Sequence, residues 1–550
     1  MAELIAETDK SLELQSRQHP SVTSSAACSV LENHPDDVPS PETHGAPLPL
    51  LREIAFVATV CSAQLLTQAG LGQVIAPLHI IGSSFNVTSP SQLSWYAAAY
   101  SLTVGTFILP SGRLGDVYGH KKIFIIGYLW YGLWSLIAGF SVYVKSDYGG
   151  DVFFSICRGF QGMGPALLLP NALGLLGRAY PDGRRKHMVF SLFGGCAPGG
   201  FVLGAVFSSL FAQEAWWPWA YWTMSIFCML LAGVALFAIP AIDESEFRRS
   251  VSRGGLGLKA RFQQLDGFGM LAGVCGLVLI NFAWNQGPIV GWGTPYVYAI
   301  VIAGVLIIGA FFYIEEHVPN PLVPVRELSR DTFFVLGCIA CGWSCFGIWV
   351  FYLWQFLEEI RDVTPLLGSA MLAPTAISGL TASIACGFLL AHLGPPVIML
   401  CSMTAFCLGN ILLSCVPVSQ TFWAQTFVSI VIMPWGMDMS FPSATIVLSN
   451  SMPREHQGVA ASLINTVVNY SISIGLGIAG LAEVSVNDGG KDLLKGYRAA
   501  WYVGIALAGS GILLAFIFIG VTTMEKKRLG RTSAVRKDSV EGDGVSKSMV

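Results

Sequence analysis

Residues 112–122 read Gly112-Arg113-Leu114-Gly115-Asp116-Val117-Tyr118-Gly119-His120-Lys121-Lys122. This charged, glycine-rich stretch lies between two apolar runs, 92–111 and 123–142. Glycine lets two helix ends approach closely. Asp116 suits a helix N-terminus, where the dipole favours negative charge, and Arg113, Lys121 and Lys122 can pair across a bundle. An ordinary basic turn between two membrane helices is the plainer reading of the same residues. On either reading it is a polar break in an oily chain, and such breaks recur along its length.

Of the 550 residues, 53% are hydrophobic and only 12% are charged, about half the charge of a soluble globular protein. A membrane-crossing helix needs roughly 20 apolar residues at ~1.5 Å each. Fourteen runs meet that need, near 54–81, 92–111, 123–142, 152–177, 187–211, 217–240, 267–285, 294–314, 333–357, 366–391, 397–417, 421–449, 457–483 and 499–522. Backbone polar groups in lipid must be bonded within the segment, so the runs predict helices. The expected fold is an all-α polytopic membrane protein. Residues 1–50 and 523–550 read as disordered tails, and 241–266, mixing bases, acids and glycine, as a linker. That divides the chain into a six-helix bundle (51–240), an extra helix pair with its loop (267–332) and a second six-helix bundle (333–522).

Charge orients these spans. With the N-terminus inside, the cytoplasmic segments hold 25 Lys and Arg, and the external loops hold Lys145, Arg361, Lys491, Lys495 and Arg498. This asymmetry predicts both termini in the cytoplasm. Asn86-Val87-Thr88 is then a glycosylation sequon in the first external loop. The 13 Cys fall mostly in apolar runs, where they read as small hydrophobes. No metal or cofactor motif is present, nor a G-x-x-x-x-G-K-[ST], H-E-x-x-H or G-x-S-x-G. Neither an enzyme nor an ATP-driven pump is expected, nor a nucleic-acid partner.

Polar residues inside the spans mark function or helix packing. Arg158 in the fourth run faces a cavity or the bundle interior, since a charge at mid-membrane costs at least ~2.5–3.5 kcal/mol. Gln161 is one turn on. A structural role, with the guanidinium on backbone carbonyls, is the alternative. Asp438 is the one acid near the middle of a span, flanked by Pro434 and Pro442. It could hold a proton, pair with a base or cationic substrate, or fix helix packing. Gln64 and Gln68 share a helix face, as do Ser462, Asn465, Asn469 and Ser473. Such stripes line a solute path or glue helices together. Asn281 and Asn285, and Trp354 with Gln355, are weaker versions of the same choice.

Residues 112–122 resemble the cytoplasmic signature of the major facilitator superfamily, roughly G-x-L-x-D-x-x-G-x-K. Arg158-Gly159-Phe160-Gln161-Gly162-Met163-Gly164 matches that superfamily's R-x-x-Q-G-x-G motif. Gly195-Cys196-Ala197-Pro198-Gly199-Gly200, with Gly204, resembles its span-five antiporter motif. Fourteen spans resemble the drug:proton antiporter branch. Trp435-Gly436-Met437-Asp438, Glu455-His456-Gln457-Gly458 and Asn465-Thr466-Val467-Val468-Asn469 resemble the fungal aminotriazole-resistance subgroup, which includes boron exporters and low-affinity ammonium transporters. The resemblance implies a monomeric secondary transporter, in the plasma membrane or alternatively the vacuolar membrane, coupling protons to efflux of a small organic compound or toxic ion. Arg158 and Asp438 would couple, Gly112, Arg113, Asp116, Gly119, Lys121 and Lys122 would gate, and Gln64, Gln68, Gln161, Asn465 and Asn469 would line the path. Uptake or facilitated movement of ammonium or borate, and a transport-dead sensor on the same fold, are the alternatives.

Overall fold

Proline and glycine punctuate the apolar runs, and the helices start and stop there. The computed structural model describes residues 49–144, 149–180, 184–240, 262, 265–319, 321–451 and 457–546. The tail read at 1–50 and the linker at 241–266 lie almost wholly outside them. The first half contains α1 (Leu50–Ile75), α2 (Leu78–Ser84), α3 (Pro90–Tyr118), α4 (His120–Phe140), α5 (Gly150–Ala179), α6 (Arg184–Glu214) and α7 (Pro218–Ala238). Then come α8 (Gly267–Val290) and α9 (Pro295–His317). The second half contains α10 (Arg330–Gln355), α11 (Pro365–Leu372), α12 (Pro374–Leu393), α13 (Pro395–Ser414), α14 (Gln425–Ser451), α15 (Gln457–Val486) and α16 (Leu493–Ser546). Gly119 and Gly394 each close one helix and open the next, at φ 98° and 77°, a region that glycine enters without a Cβ clash.

Among the described residues, thirteen helical segments are long and apolar enough to cross a membrane. Against the fourteen runs expected, the missing one is α3, which is 29 residues long but rich in Ser, Tyr and Gly. It lies between α5 and α15, with most of its residues buried, so protein surrounds its polar groups. Two further differences have simple causes. Pro77 removes a backbone donor, and the run at 54–81 divides there into α1 and α2. No proline interrupts the chain after residue 522, and α16 continues to Ser546 through the segment read as a disordered tail.

α1 packs on α6, α3 on α5, and α4 on α5 and α7; α13 packs on α14 and α16, α10 on α15 and α16, and α12 on α14. Two seams join these groups: α3 against α15, and α6 against α11 and α12. α8 lies along the first seam, touching both α3 and α15, and α9 packs on α8. α9 is the most apolar of these spans, yet little of it is buried inside the protein. Phe227, Leu230 and Phe237 of α7, Leu306 of α9 and Phe388 of α12 are likewise exposed. An apolar girdle of this kind is stable only in lipid.

The α1–α6 contact depends on two residues of the motif in α6. A Cβ at Gly200 would stand 2.2 Å from the carbonyl oxygen of Leu65, and one at Gly204 would stand 2.2 Å from that of Ala69. Gly199, one residue before Gly200, borders open space. Gly204→Ala is therefore expected to lower the thermal midpoint of the detergent-solubilised protein, since overpacking costs about 1–3 kcal/mol. Gly199→Ala should leave it unchanged or raise it, as alanine is the better helix former. Fluorescence-detected size-exclusion after a heating series measures both.

Candidate functional site

The guanidinium of Arg158 is fully buried. Its Nε donates to the carbonyl oxygen of Tyr96 on α3 at 2.9 Å, and Nη2 donates to that of Gly70 on α1 at 2.7 Å. Nη1 donates to Gln161 Oε1 one turn along α5. Gln161 in turn donates from Nε2 to Ser135 Oγ on α4 at 2.7 Å. The charge also lies over the rings of Tyr100 and Tyr221, 4.5 and 5.9 Å from their centroids, a favourable cation–π setting. Arg158 thus bonds carbonyl and amide oxygens, in the manner of the structural alternative, and no ion pair is formed with it among the described residues.

The 112–122 stretch is organised around the end of α3. Asp116 lies in the last turn of α3, not at the helix N-terminus expected from the sequence. Gly119 permits an immediate reversal, which brings His120 back onto Asp116. His120 Nε2 is 3.4 Å from Asp116 Oδ1, and Arg178 Nη2 of α5 is 3.6 Å from it. His120 Nδ1 lies 2.8 Å from Asn171 Oδ1, and a Cβ at Gly115 would meet that same oxygen at 1.8 Å. Lys121 donates to the carbonyls of Leu236 and Ile239 at 2.9 and 2.6 Å, capping α7 with a cation where the dipole is negative. Lys122 is exposed. The contact across the seam is made by Gly112, where a Cβ would stand 3.4 Å from Ser462 Oγ on α15.

The α15 stripe faces that seam. A Cβ at Gly105 of α3 would lie 2.7 Å from the Tyr470 nitrogen and 3.2 Å from Asn469 Cβ. Asn469 donates to its own helix at the Asn465 carbonyl, 3.0 Å away. Ser473 Oγ reaches the Ala98 carbonyl oxygen at 3.0 Å and Asn281 Oδ1 at 2.7 Å. Asn285 donates to Asn281 Oδ1 at 2.9 Å. The two asparagines of α8 therefore fasten the extra helix pair to α15, whose Ser473 in turn reaches α3. Gln64 and Gln68 are half-buried on one face of α1.

Asp438 lies where three helices meet. Its carboxylate is within electrostatic reach of the Ser383 hydroxyl of α12, and Oδ2 is buried without a partner. A Cβ at Gly379 of α12 would stand 2.6 Å from that oxygen and 3.0 Å from Pro198 Cγ of α6. The absent side chain at Gly379 thus brings the Pro198 motif of one half up to the acid of the other. From Pro198 onward α6 meets the second half repeatedly. Ser209 Oγ lies 2.9 Å from Ser369 Oγ, and Gln213 Oε1 accepts from the Leu366 nitrogen at 2.8 Å. On the other side of Pro198, Gly194 and Gly195 border open space. The halves are thus joined along α6 on the face away from the basic loops.

Two residues carry little weight in the sequence. Gln73 of α1 and Gln355 of α10 are fully buried, and neither amide atom of either has a hydrogen-bond partner. An amide left so costs about 1–3 kcal/mol. Their signal was present as isolated amides in apolar runs, but without a period to draw attention. Asn86 is exposed beyond α2, at φ 58°.

Two helical halves meeting at a polar, partly unsatisfied centre, within an apolar girdle, are the architecture of a membrane transporter. The Major Facilitator Superfamily model matches residues 60–397 and 332–543, and the chain belongs to that family. It is 60% identical over 487 residues, 88% of this chain and 91% of the relative, to the low affinity ammonium transporter of Saccharomyces cerevisiae. It is 47% identical to efflux pump terJ of Aspergillus terreus, covering 86% and 89%. It is 38% identical to the aminotriazole resistance protein of Saccharomyces cerevisiae, covering 88% and 86%. Among solved structures, a POT family transporter in complex with a thioalcohol conjugated peptide aligns with a TM-score of 0.61 at 14% identity, covering 86% of this chain and 96% of the other, a likeness of fold.

Arg158→Ala would remove the bonds to the Tyr96 and Gly70 carbonyls and leave Gln161 Oε1 without its partner in the interior. It should lower the thermal midpoint by roughly 5 °C or more. Arg158→Lys should recover only part, because an ammonium cannot reproduce the planar fork.

Proposed function

We propose that this chain is a secondary active transporter that moves a small cationic or weakly basic solute by alternating access, with Asp438 as its exchangeable charge. The observation that carries this reading is the unpartnered Oδ2 of Asp438 at the junction of α6, α12 and α14. A buried carboxylate oxygen accepts an N–H or a proton and repels anions. The 60% identity to a protein named for low-affinity ammonium transport supports ammonium as the first solute to test. The buried amides of Gln73 and Gln355 supply polar contacts along the way, with Gln64 and Gln68 on the wall of α1. Asn465 and Asn469 serve the α3–α15 seam.

The basic loops support a cytoplasmic assignment for the face holding residues 112–122. On that assignment the halves are clasped at the outer face, and the conformation is open inward. The rocking surfaces are the α3–α15 and α6–α12 seams. Asp116 with His120 and Arg178 holds the inner end of α3, and Arg158 keeps the first half rigid as it moves. The plasma membrane is the proposed location. A second reading, proton-coupled efflux of an organic compound, is favoured by the 47% identity to an efflux pump and uses the same acid.

The purified protein in liposomes with an imposed pH gradient tests both readings. Methylammonium, borate and an azole serve as separate solutes. Wild type is expected to accumulate methylammonium uphill, and Asp438→Asn to raise the half-saturating concentration about tenfold or more, the factor for one charged hydrogen bond. Undiminished uphill movement by Asp438→Asn would remove Asp438 from coupling. Azole flux without methylammonium flux would select the efflux reading.

A further inference from the structure

The outer ends of the two halves meet at a group that the transport site does not use. His79 stands on α2 of the first half. Facing it is a π turn, Phe356–Ile360, that ends α10 of the second half; such turns break the regular ladder and recur at functional positions. His79 Nδ1 lies 2.9 Å from Glu359 Oε1, and Nε2 lies 4.0 Å from Glu358 Oε2. Neither His79 Nε2 nor Glu358 Oε1 has a hydrogen-bond partner, and both are buried from solvent.

One ring nitrogen is therefore engaged and the other waits beside a carboxylate. A neutral imidazole has one N–H, and its bond to Glu359 uses it. Protonation adds an N–H at Nε2, aimed at Glu358, and sets a cation between two acids. Without that proton the acids stand next to each other with no base between them. Histidine is the side chain whose charge ordinarily changes between about pH 5 and 8.

Among the described residues, no other cation is paired with these two acids. Arg361, just past the turn, points away, donating to the Pro417 carbonyl at 3.0 Å and to Thr426 Oγ1 at 3.5 Å. Tyr497 of α16 is within electrostatic reach of Glu359 and Glu483, and Tyr352 of α10 is within reach of Glu483. Glu483 of α15 is occupied by Asn487 at 2.7 Å and by Ser91 of α3 at 3.3 Å. The groups around His79 are thus acidic, phenolic or turned elsewhere.

We propose that His79, Glu358 and Glu359 form a proton-binding clasp between the two halves, which holds this face shut when His79 is charged. Protonation favours the closed clasp and loss of the proton weakens it, so closure is firmer in acid and weaker in base. A proton arriving from this face would then drive closure of this face, whatever the solute.

The test is hydrogen–deuterium exchange on the full chain in lipid nanodiscs, at about pH 5.5 and about pH 8, corrected for intrinsic exchange. Peptides covering 76–88 and 355–366 report the clasp. Wild type is expected to exchange about fivefold more slowly there in acid, the factor for a partly exposed ion pair. His79→Gln and Glu359→Gln should each abolish the difference. His392→Gln should retain it, since His392 bonds the Phe388 carbonyl of its own helix at 2.9 Å. Absence of a pH difference in wild type, or its survival in His79→Gln, would overturn the proposal. Should His79→Gln not fold, Glu359→Gln and Glu358→Gln decide it by the same criterion. Exchange does not depend on transport, so the clasp can fail while the transport reading stands, and the reverse.

Discussion

A positive charge buried where no carboxylate answers it is tolerable only if other oxygens replace the water it lost. Arg158 meets that condition with carbonyls from α1 and α3, an amide on its own helix and two tyrosine rings. The arrangement fixes four helices relative to one another, and through Gln161 and Ser135 it reaches a fifth, α4. These bonds are costly to break one at a time and tie the first half together. At the seams the structure uses a different chemistry. Glycine brings α3 against α15 and α12 against α6, and hydroxyls and amides such as Ser209, Ser369, Gln213 and Ser473 make many of the contacts. Neutral contacts of this kind are weaker than a buried guanidinium network.

Much of this was legible in the chain itself. Hydropathy and the positive residues between runs led to helices, their order and a two-half plan, because lipid demands internally bonded backbone. Arg158 and Gln161 announced themselves as charge and amide in an apolar run. Their partners did not, since a main-chain carbonyl at Gly70 or Tyr96 leaves no trace in residue type. The stripe from Ser462 to Ser473 was visible as a stripe, yet which neighbour it addressed depends on tertiary placement. α3 shows the limit of hydropathy. A span surrounded by protein needs less oil than one facing lipid.

The centre at Asp438 was half legible. An acid flanked by prolines in a span invites attention, whereas Gly379 is one of 60 glycines, and nothing local says that Pro198 will arrive opposite it. The same holds for His79 and Glu358, separated by most of the chain. Sites built across the seams are assembled from residues that are unremarkable in sequence, because the information lies in the docking of the halves and not in either half. Motifs confined to one helix or one turn, such as the run from Gly112 to Lys122, are read far more easily. Even there the short reversal at Gly119 moved Asp116 to the opposite end of a helix from the one expected.

The extra pair α8–α9 has a mechanical consequence. α8 is bonded to α15 through Asn281 and Asn285 and lies against α3, so it straddles the line about which the halves turn. A cavity of about 500 Å³ opens beside it, lined by Trp95, Phe107, Phe160 and Phe282, with Asp151 and Gln92 also in its wall. α9 presents nearly all of its surface to hydrocarbon. On the proposed rocking about the α3–α15 seam, this pair would swing as an outrigger through the acyl chains and reshape the cavity at its root. Bilayer lateral pressure and thickness would then enter the work of each cycle, and its rate would depend on the membrane as well as on the protein.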